Sequence, residues 1–341
     1  MQKADEPRIE EEQIDPHRRV IDSHHHLHDR VPQDHDIGRD GRFLVDDYAE
    51  LIGDCNVVAT ICVEARSMYR AGVPDEIAVI GETEFLNGQA AMAASGNYGP
   101  CKVGAGIVAK ADLRFGSRIR ETLEAHKIAA PERFRGIRQE AGWDEDESIV
   151  GGMFDAGPQV YLRDDFREGF AELAPLGLSF DAFVLSPQLG DVIDLARRFP
   201  ETSIILDHLA LPVGIGRFKG KLAEEFGGWK SDMATLAASD NVTVKLGGLG
   251  TFITAFPSFD VHPPCSSAQL ADEWRPYVES AIELFGADRC MFESNLPTDK
   301  SGSFASVLNA FKRITEKCSE TEKDAVFSGT ASRVYRLNLP A

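Results

Sequence analysis

The stretch Val20-Ile21-Asp22-Ser23-His24-His25-His26-Leu27-His28 begins as a short apolar strand and runs straight into histidines. An open, doubly wound sheet would usually place a glycine-rich phosphate loop after its first strand. Here the first strand ends in imidazoles, which favours a closed barrel, whose chemistry sits at the C-terminal ends of its strands. In a strand, residues i and i+2 face the same side. His24 and His26 therefore point together and can chelate one ion or clamp one substrate group, while His25 points back between sheet and helices. The plain alternative is a polar, histidine-rich turn. Packing alone gives little reason for three adjacent imidazoles at the mouth of a buried strand.

Working outward, strands are expected at 56–63, 102–108, 134–139, 178–183, 202–207, 242–246 and 289–292. The run NVVATICV at 56–63 is continuously apolar, as a parallel strand covered on both faces must be. Helices are expected around 46–53 and at 82–94, 118–126, 164–173, 189–199, 229–238 and 268–285, with 303–316 and 322–335 closing the chain. Residues 30–42 read as a polar loop and 143–158 as a long connection. Eight strand–helix units predict an α/β fold, a parallel, eight-stranded (β/α)8 barrel of the TIM type.

The 341 residues are 43% hydrophobic and 27% charged, which supplies one large core, and residues 20–341 are expected to form it as one barrel domain. Residues 1–19 carry an excess of acids and no apolar stretch, and read as a solvated tail without the features of a signal peptide. A net charge of −19 argues against nucleic-acid and anionic-membrane partners, which need clustered Lys and Arg. The six cysteines form no CxxC pair and no apolar run reaches 18 residues, so reduced thiols and a cytoplasmic location are expected. The expected partner is a small-molecule substrate, with assembly into a homo-oligomer left open.

Polar residues recur at the strand ends: Asp22, His24 and His26, then Glu64, Arg138 with Glu140, Asp181, Asp207 with His208, Lys245, and Glu293 with Asn295. His208 ends the sixth strand and would face the first-strand pair across the mouth; alone it could be a satisfied core histidine. Arg138 has the planar donor fork that suits a carboxylate or polarised carbonyl, or it could pair with Glu140 or Asp181. Lys245 lies in a buried strand, so its ammonium must be paired, either structurally or with substrate. Tyr69 and Asp181 join Arg138 and Lys245 as expected substrate contacts. One divalent, Zn²⁺-like ion held by His24, His26 and His208 is one version of the site; a metal-free site polarised by histidine and Arg138 is the other.

Val20 to His28, Gly136-Ile137-Arg138, the string from Asp207 to Pro212, that from Lys245 to Leu249, Met291 to Pro297 and Gly329 to Leu337 together resemble the amidohydrolase-2 branch of the amidohydrolase superfamily, in order and spacing. The resemblance spans nearly the whole chain and is nearest to the sugar lactonases and the 2-pyrone-4,6-dicarboxylate lactonase group. It implies a barrel hydrolase that opens a lactone or similar ester, less often an amide. It also implies an aspartate on the eighth strand, in a Ser-Asp-Trp-Pro-like string, that binds metal and activates water. This chain has Asn295 there, which can orient water but cannot accept a proton. The catalytic set expected is thus His24, His26, His208 and Asn295 with a relocated base, Glu64 first and Asp22 or Glu293 after it. The fifth strand has Asp181 where a histidine would support a second metal. A metal-dependent nonoxidative decarboxylase of an aromatic acid and a catalytically silent scaffold are the rival readings.

Overall fold

A computed structural model describes residues 11–30, 41–151, 153–154 and 156–339. Its main sheet has eight strands: β1 (Val20–His25), β2 (Val57–Val63), β3 (Lys102–Lys110), β4 (Phe134–Glu140), β5 (Ser179–Phe183), β6 (Ile204–Leu206), β7 (Val242–Lys245) and β8 (Cys290–Met291). They neighbour one another in sequence order and every pairing is parallel. The residues after β8 return to β1: Leu296 bridges His25, and Asn295 N donates to His24 O at 2.8 Å. That contact brings the two edges together as a TIM-type barrel.

A helix follows each strand: α1 (Val45–Ile52), α2 (Ile80–Ala94), α3 (Ile119–Ala129), α4 (Asp164–Phe170), α5 (Leu189–Arg198), α6 (Leu222–Ala237), α7 (Ser267–Phe285) and α8 (Phe304–Ile314). The core divides into clusters. Ile21, Ala59, Ile61, Val63, Val108, Ile205 and Met291 pack together with Ala331, Val334, Tyr335 and Leu337, so the C-terminal segment packs against one face of the sheet. Val57, Cys62, Ile107, Ile137 and Phe180 belong instead to the larger cluster shared with the helices. A third cluster (Ile149, Phe154, Leu211, Phe218 and Ile253 among its members) joins three of the loops that follow strands.

Three expectations are corrected. The closing helix expected at 322–335 is interrupted: Glu320–Asp324 gives way to a wider turn at Ala325–Gly329 before Thr330–Val334. Val326 O there accepts from Phe292 N at 2.9 Å, so a helix carbonyl completes the short eighth strand. α6 starts at Leu222, seven residues before the expected 229, because Trp229, Met233 and Leu236 bury one face despite Gly227-Gly228. The acidic extension is tied down from Glu11 onward. Asn309 exchanges hydrogen bonds with Ile14 N and Glu12 O, Lys312 donates to Asp15 O, and Arg18 pairs with Glu320 and Asp324. Residues 1–10 lie outside the described residues. No helix among those described is long and apolar enough to cross a membrane.

Candidate active site

Strand parity orients the histidines as expected. His25 turns outward, with Nε2 2.7 Å from Thr60 Oγ1 and its ring against Tyr48; burial drives its pKa down to about 3, so it stays neutral. His26 sits with Nδ1 3.0 Å from Val63 O. A carbonyl only accepts, so Nδ1 carries a proton. His24 Nε2 is 3.3 Å from His26 Nε2 and 3.3 Å from Arg138 Nη1, and its Nδ1 is 3.1 Å from Lys245 Nζ. Burial first, then the nearby Lys245, His208 and Arg138 charges, hold His24 well below the usual imidazole range. It is neutral, with one ring nitrogen toward each of two cations, and can accept from only one of them.

Beneath the pocket lies a layer of fully buried charge. Lys245 Nζ contacts Asp181 Oδ2 at 2.6 Å and Asp207 Oδ1 at 3.0 Å, and Tyr335 OH donates to the same Asp181 oxygen at 2.7 Å. Burial opposes the ammonium, but Asp181, Asp207 and Glu293 outweigh it and keep Lys245 above its ordinary pKa. Arg138 grips Glu64 twice, Nε to Oε1 at 2.9 Å and Nη2 to the backbone oxygen at 2.9 Å. Glu64 is thus the counter-ion of Arg138. Asp22 accepts from Tyr48 OH, Ser294 N and Ser294 Oγ, which makes it the tie between β1 and the loop after β8.

His208 Nδ1 is 2.9 Å from Glu293 Oε1. Burial would depress this imidazole, but Glu293, with Asp207 and Asp299 behind it, raises it above its ordinary value. The other Glu293 oxygen, Oε2, is buried 3.3 Å from His24 Nδ1 and has no hydrogen-bond partner among the described residues. His208 owes its position to an unusual backbone: His208, Leu209, Ala210 and Leu211 have φ of 55°, 55°, 59° and 39°. Left-handed geometry costs a side-chain-bearing residue roughly 1–2 kcal/mol, so the run persists only because its surroundings enforce it. Gly248 is one enforcer. A Cβ there would lie 2.3 Å from His208 Cγ, and its own φ is +71°. Gly248→Ala is expected to displace His208, lowering turnover at least tenfold and stability by roughly 1–3 kcal/mol. Unchanged kcat and denaturant midpoint would show that the ring has room to move.

The pocket above this layer holds about 410 Å³, open solvent at its mouth included. His26, Arg138, His208 and Asn295 reach it, as do Glu140, Thr251 and Thr298, facing an apolar wall that includes Phe154, Phe183 and Phe252. His24, Glu64, Asp181 and Lys245 lie behind that lining, and Tyr69, in the loop after β2, is also outside it. Glu140 is held well below the carboxylate range by Arg66, Lys110 and Arg138 against its burial. Asn295 sits at φ 54° and its Nδ2 donates to Asp299 Oδ1 at 2.7 Å. Burial pushes Asp299 up to about 7, with His208 pulling the other way. Sequence reading missed Asp299, Thr298 and Gly248, since none lies on a strand. Glu293 was among the expected bases, ranked after Glu64.

A divalent ion suits this arrangement. Among the described residues, His24, His208 and Glu293 offer ligand atoms all within 4.8 Å of one another, and the orphaned Glu293 Oε2 is one buried acceptor that a cation would satisfy. Two imidazoles and one carboxylate are a ligand set known for catalytic ions. His26, also expected as a ligand, is outside that trio and lines the pocket with Nε2 3.3 Å from His24 Nε2.

A barrel whose first and sixth strands bring histidines to one mouth, with a carboxylate from the eighth, describes a class of enzymes, and comparison with known proteins identifies the family. The chain belongs to the amidohydrolase family (Amidohydro_2), whose model matches residues 21–337. An uncharacterized protein of Sinorhizobium fredii is 37% identical over 234 residues, 68% of this chain and 70% of that one. An L-fucono-1,5-lactonase of Burkholderia ambifaria is 31% identical over 170 residues, covering 48% of this chain and 52% of the lactonase. Among solved structures, an amidohydrolase of Burkholderia multivorans with bound zinc superposes with a TM-score of 0.70 at 25% identity, covering 93% of this chain and 99% of that one.

Proposed function

We propose that this chain is a hydrolase that opens a lactone, or a related ester, of a small oxygenated substrate. The observation that carries the reading is Glu293: a buried carboxylate that is hydrogen-bonded to His208, faces His24 and keeps one oxygen without a hydrogen-bond partner among the described residues. It supplies the proton acceptor that Asn295 cannot be. The lactonases among the relatives support ring opening over amide cleavage.

Arg138 lines the pocket and donates to the carbonyl oxygen, while its pairing with Glu64 fixes the guanidinium plane. In the metal-free version Oε2 of Glu293 takes a proton from the water whose oxygen attacks the carbonyl carbon. The ring C–O bond then breaks, and the leaving alkoxide recovers that proton, so one water is consumed and one hydroxy acid released. A divalent ion held by His24, His208 and Glu293, of the Zn²⁺ kind, would polarise the carbonyl and lower the pKa of water toward ~7.

A panel of sugar and simple lactones, followed with a pH indicator before and after chelation, tests the reading. The expected result is acid release that falls with chelation, in protein carrying about one equivalent of metal by elemental analysis. Less than a tenth of an equivalent with activity intact would establish the metal-free version. Carbon dioxide from aromatic acids, with no lactone opened, would overturn ring hydrolysis in favour of decarboxylation.

A further inference from the structure

The turn after β8 carries two buried polar atoms that the mechanism does not use. Asn295 O accepts from Thr298 N at 2.9 Å and Asp299 N at 3.1 Å, which folds residues 295–299 back on themselves beside the pocket. Asn295 and Thr298 both line the pocket. Asn295 is 2% exposed; its Oδ1 and Thr298 Oγ1 are buried and have no hydrogen-bond partner among the described residues. A buried polar atom without a partner costs roughly 1–3 kcal/mol, so two on one turn imply a group that satisfies them.

The character of that group follows from Asp299. Its Oδ2 accepts from Gly250 N at 3.0 Å and its Oδ1 from Asn295 Nδ2 at 2.7 Å. While Asp299 is ionised it offers only acceptors, so the Asn295 atom turned toward it is the amide nitrogen, and the amide oxygen is left to meet the ligand. Oδ1 only accepts, whereas the Thr298 hydroxyl both donates and accepts. A ligand hydroxyl completes this pair; a ligand carboxylate would set oxygen against oxygen.

We infer that the turn 295–299 is a hydroxyl-selecting subsite: Asn295 Oδ1 and Thr298 Oγ1 take a hydroxyl of the substrate, and Asp299 is the positioning residue that fixes the amide. This rests on the ring-opening reading and narrows it to hydroxylated lactones, with carboxylated ones disfavoured. Asp299→Asn would reverse the selection. Gly250 N needs an acceptor, so the new amide turns its oxygen there and its nitrogen toward Asn295, which must then flip and present NH₂ to the pocket.

The test uses γ-butyrolactones that differ only in carrying hydrogen, hydroxyl or carboxyl, with each ring position sampled. Two quantities are read: kcat/KM, and protection of the protein against thermal unfolding. The hydroxylated lactone is expected to exceed the bare one by at least roughly tenfold, the factor of one or more hydrogen bonds to buried groups, with the carboxylated one weakest. Thr298→Val should shrink the hydroxyl-to-bare ratio roughly tenfold through KM rather than kcat. Asp299→Asn should raise the carboxyl-to-hydroxyl ratio. Equal treatment of the three, or a preference for carboxyl in the unaltered protein, overturns the subsite. Hydroxyl-selective protection without turnover would uphold the subsite and overturn ring opening.

Discussion

Glu293→Gln is expected to lower turnover by roughly 10²–10⁴-fold, the range that a general base contributes, while the fold is retained. The amide still accepts from His208 Nδ1 through its oxygen, so the imidazole keeps its place 2.9 Å away. What disappears is the proton acceptor facing His24, one of the three ligands for an ion, and the charge that raises His208. Glu64→Gln is the contrasting change. It weakens the hold on Arg138, whose second bond to Glu64, through the backbone oxygen, survives, so the loss should be the smaller of the two. Steady-state kinetics on one lactone, with melting curves for both variants, decide the matter. If Glu293→Gln stays within about threefold of the parent while Glu64→Gln does not, the base is Glu64.

The second large effect is on stability. Lys245→Met should cost roughly 3–5 kcal/mol, because removing one partner of a buried ion pair leaves the other charge uncompensated. Asp181 and Asp207 would remain in the barrel without their cation, and His24 would lose the donor at Nδ1. The double variant Lys245→Met with Asp181→Asn should recover part of the loss, since it also removes a stranded carboxylate. Chemical denaturation of the parent, the single and the double variant gives the numbers. A single variant within 1 kcal/mol of the parent would mean that water or a proton replaces the ammonium at little cost.

What could be read from the sequence follows from where the physics is local. The apolar run at 57–63 and the i, i+2 histidines are set by strand parity, and the barrel and the placement of His24 and His26 follow from them. Which carboxylate meets which cation across the barrel is not local. Glu64 and Glu293 look alike as strand-end acids, and only the closed barrel shows that Arg138 occupies the first and leaves the second beside the histidines. The left-handed run from His208 to Leu211 had no glycine to announce it; its signal, Gly248, lies on another segment. The turn holding Thr298 and Asp299 was missed because strand-end logic stops at Asn295.

The hydrogen bond from Tyr335 to Asp181 ties the order of synthesis to the order of assembly. His24 leaves the ribosome more than 300 residues before Tyr335 does. Yet His24 faces Lys245, Lys245 pairs with Asp181, and Asp181 is held by Tyr335 within the segment that packs against the barrel strands. A nascent chain that has made every strand still lacks the hydroxyl that steadies the charged layer. The charged layer is therefore among the last parts of the molecule to become whole, and a chain released shortly before residue 335 would lack the hydroxyl that holds Asp181 beside Lys245.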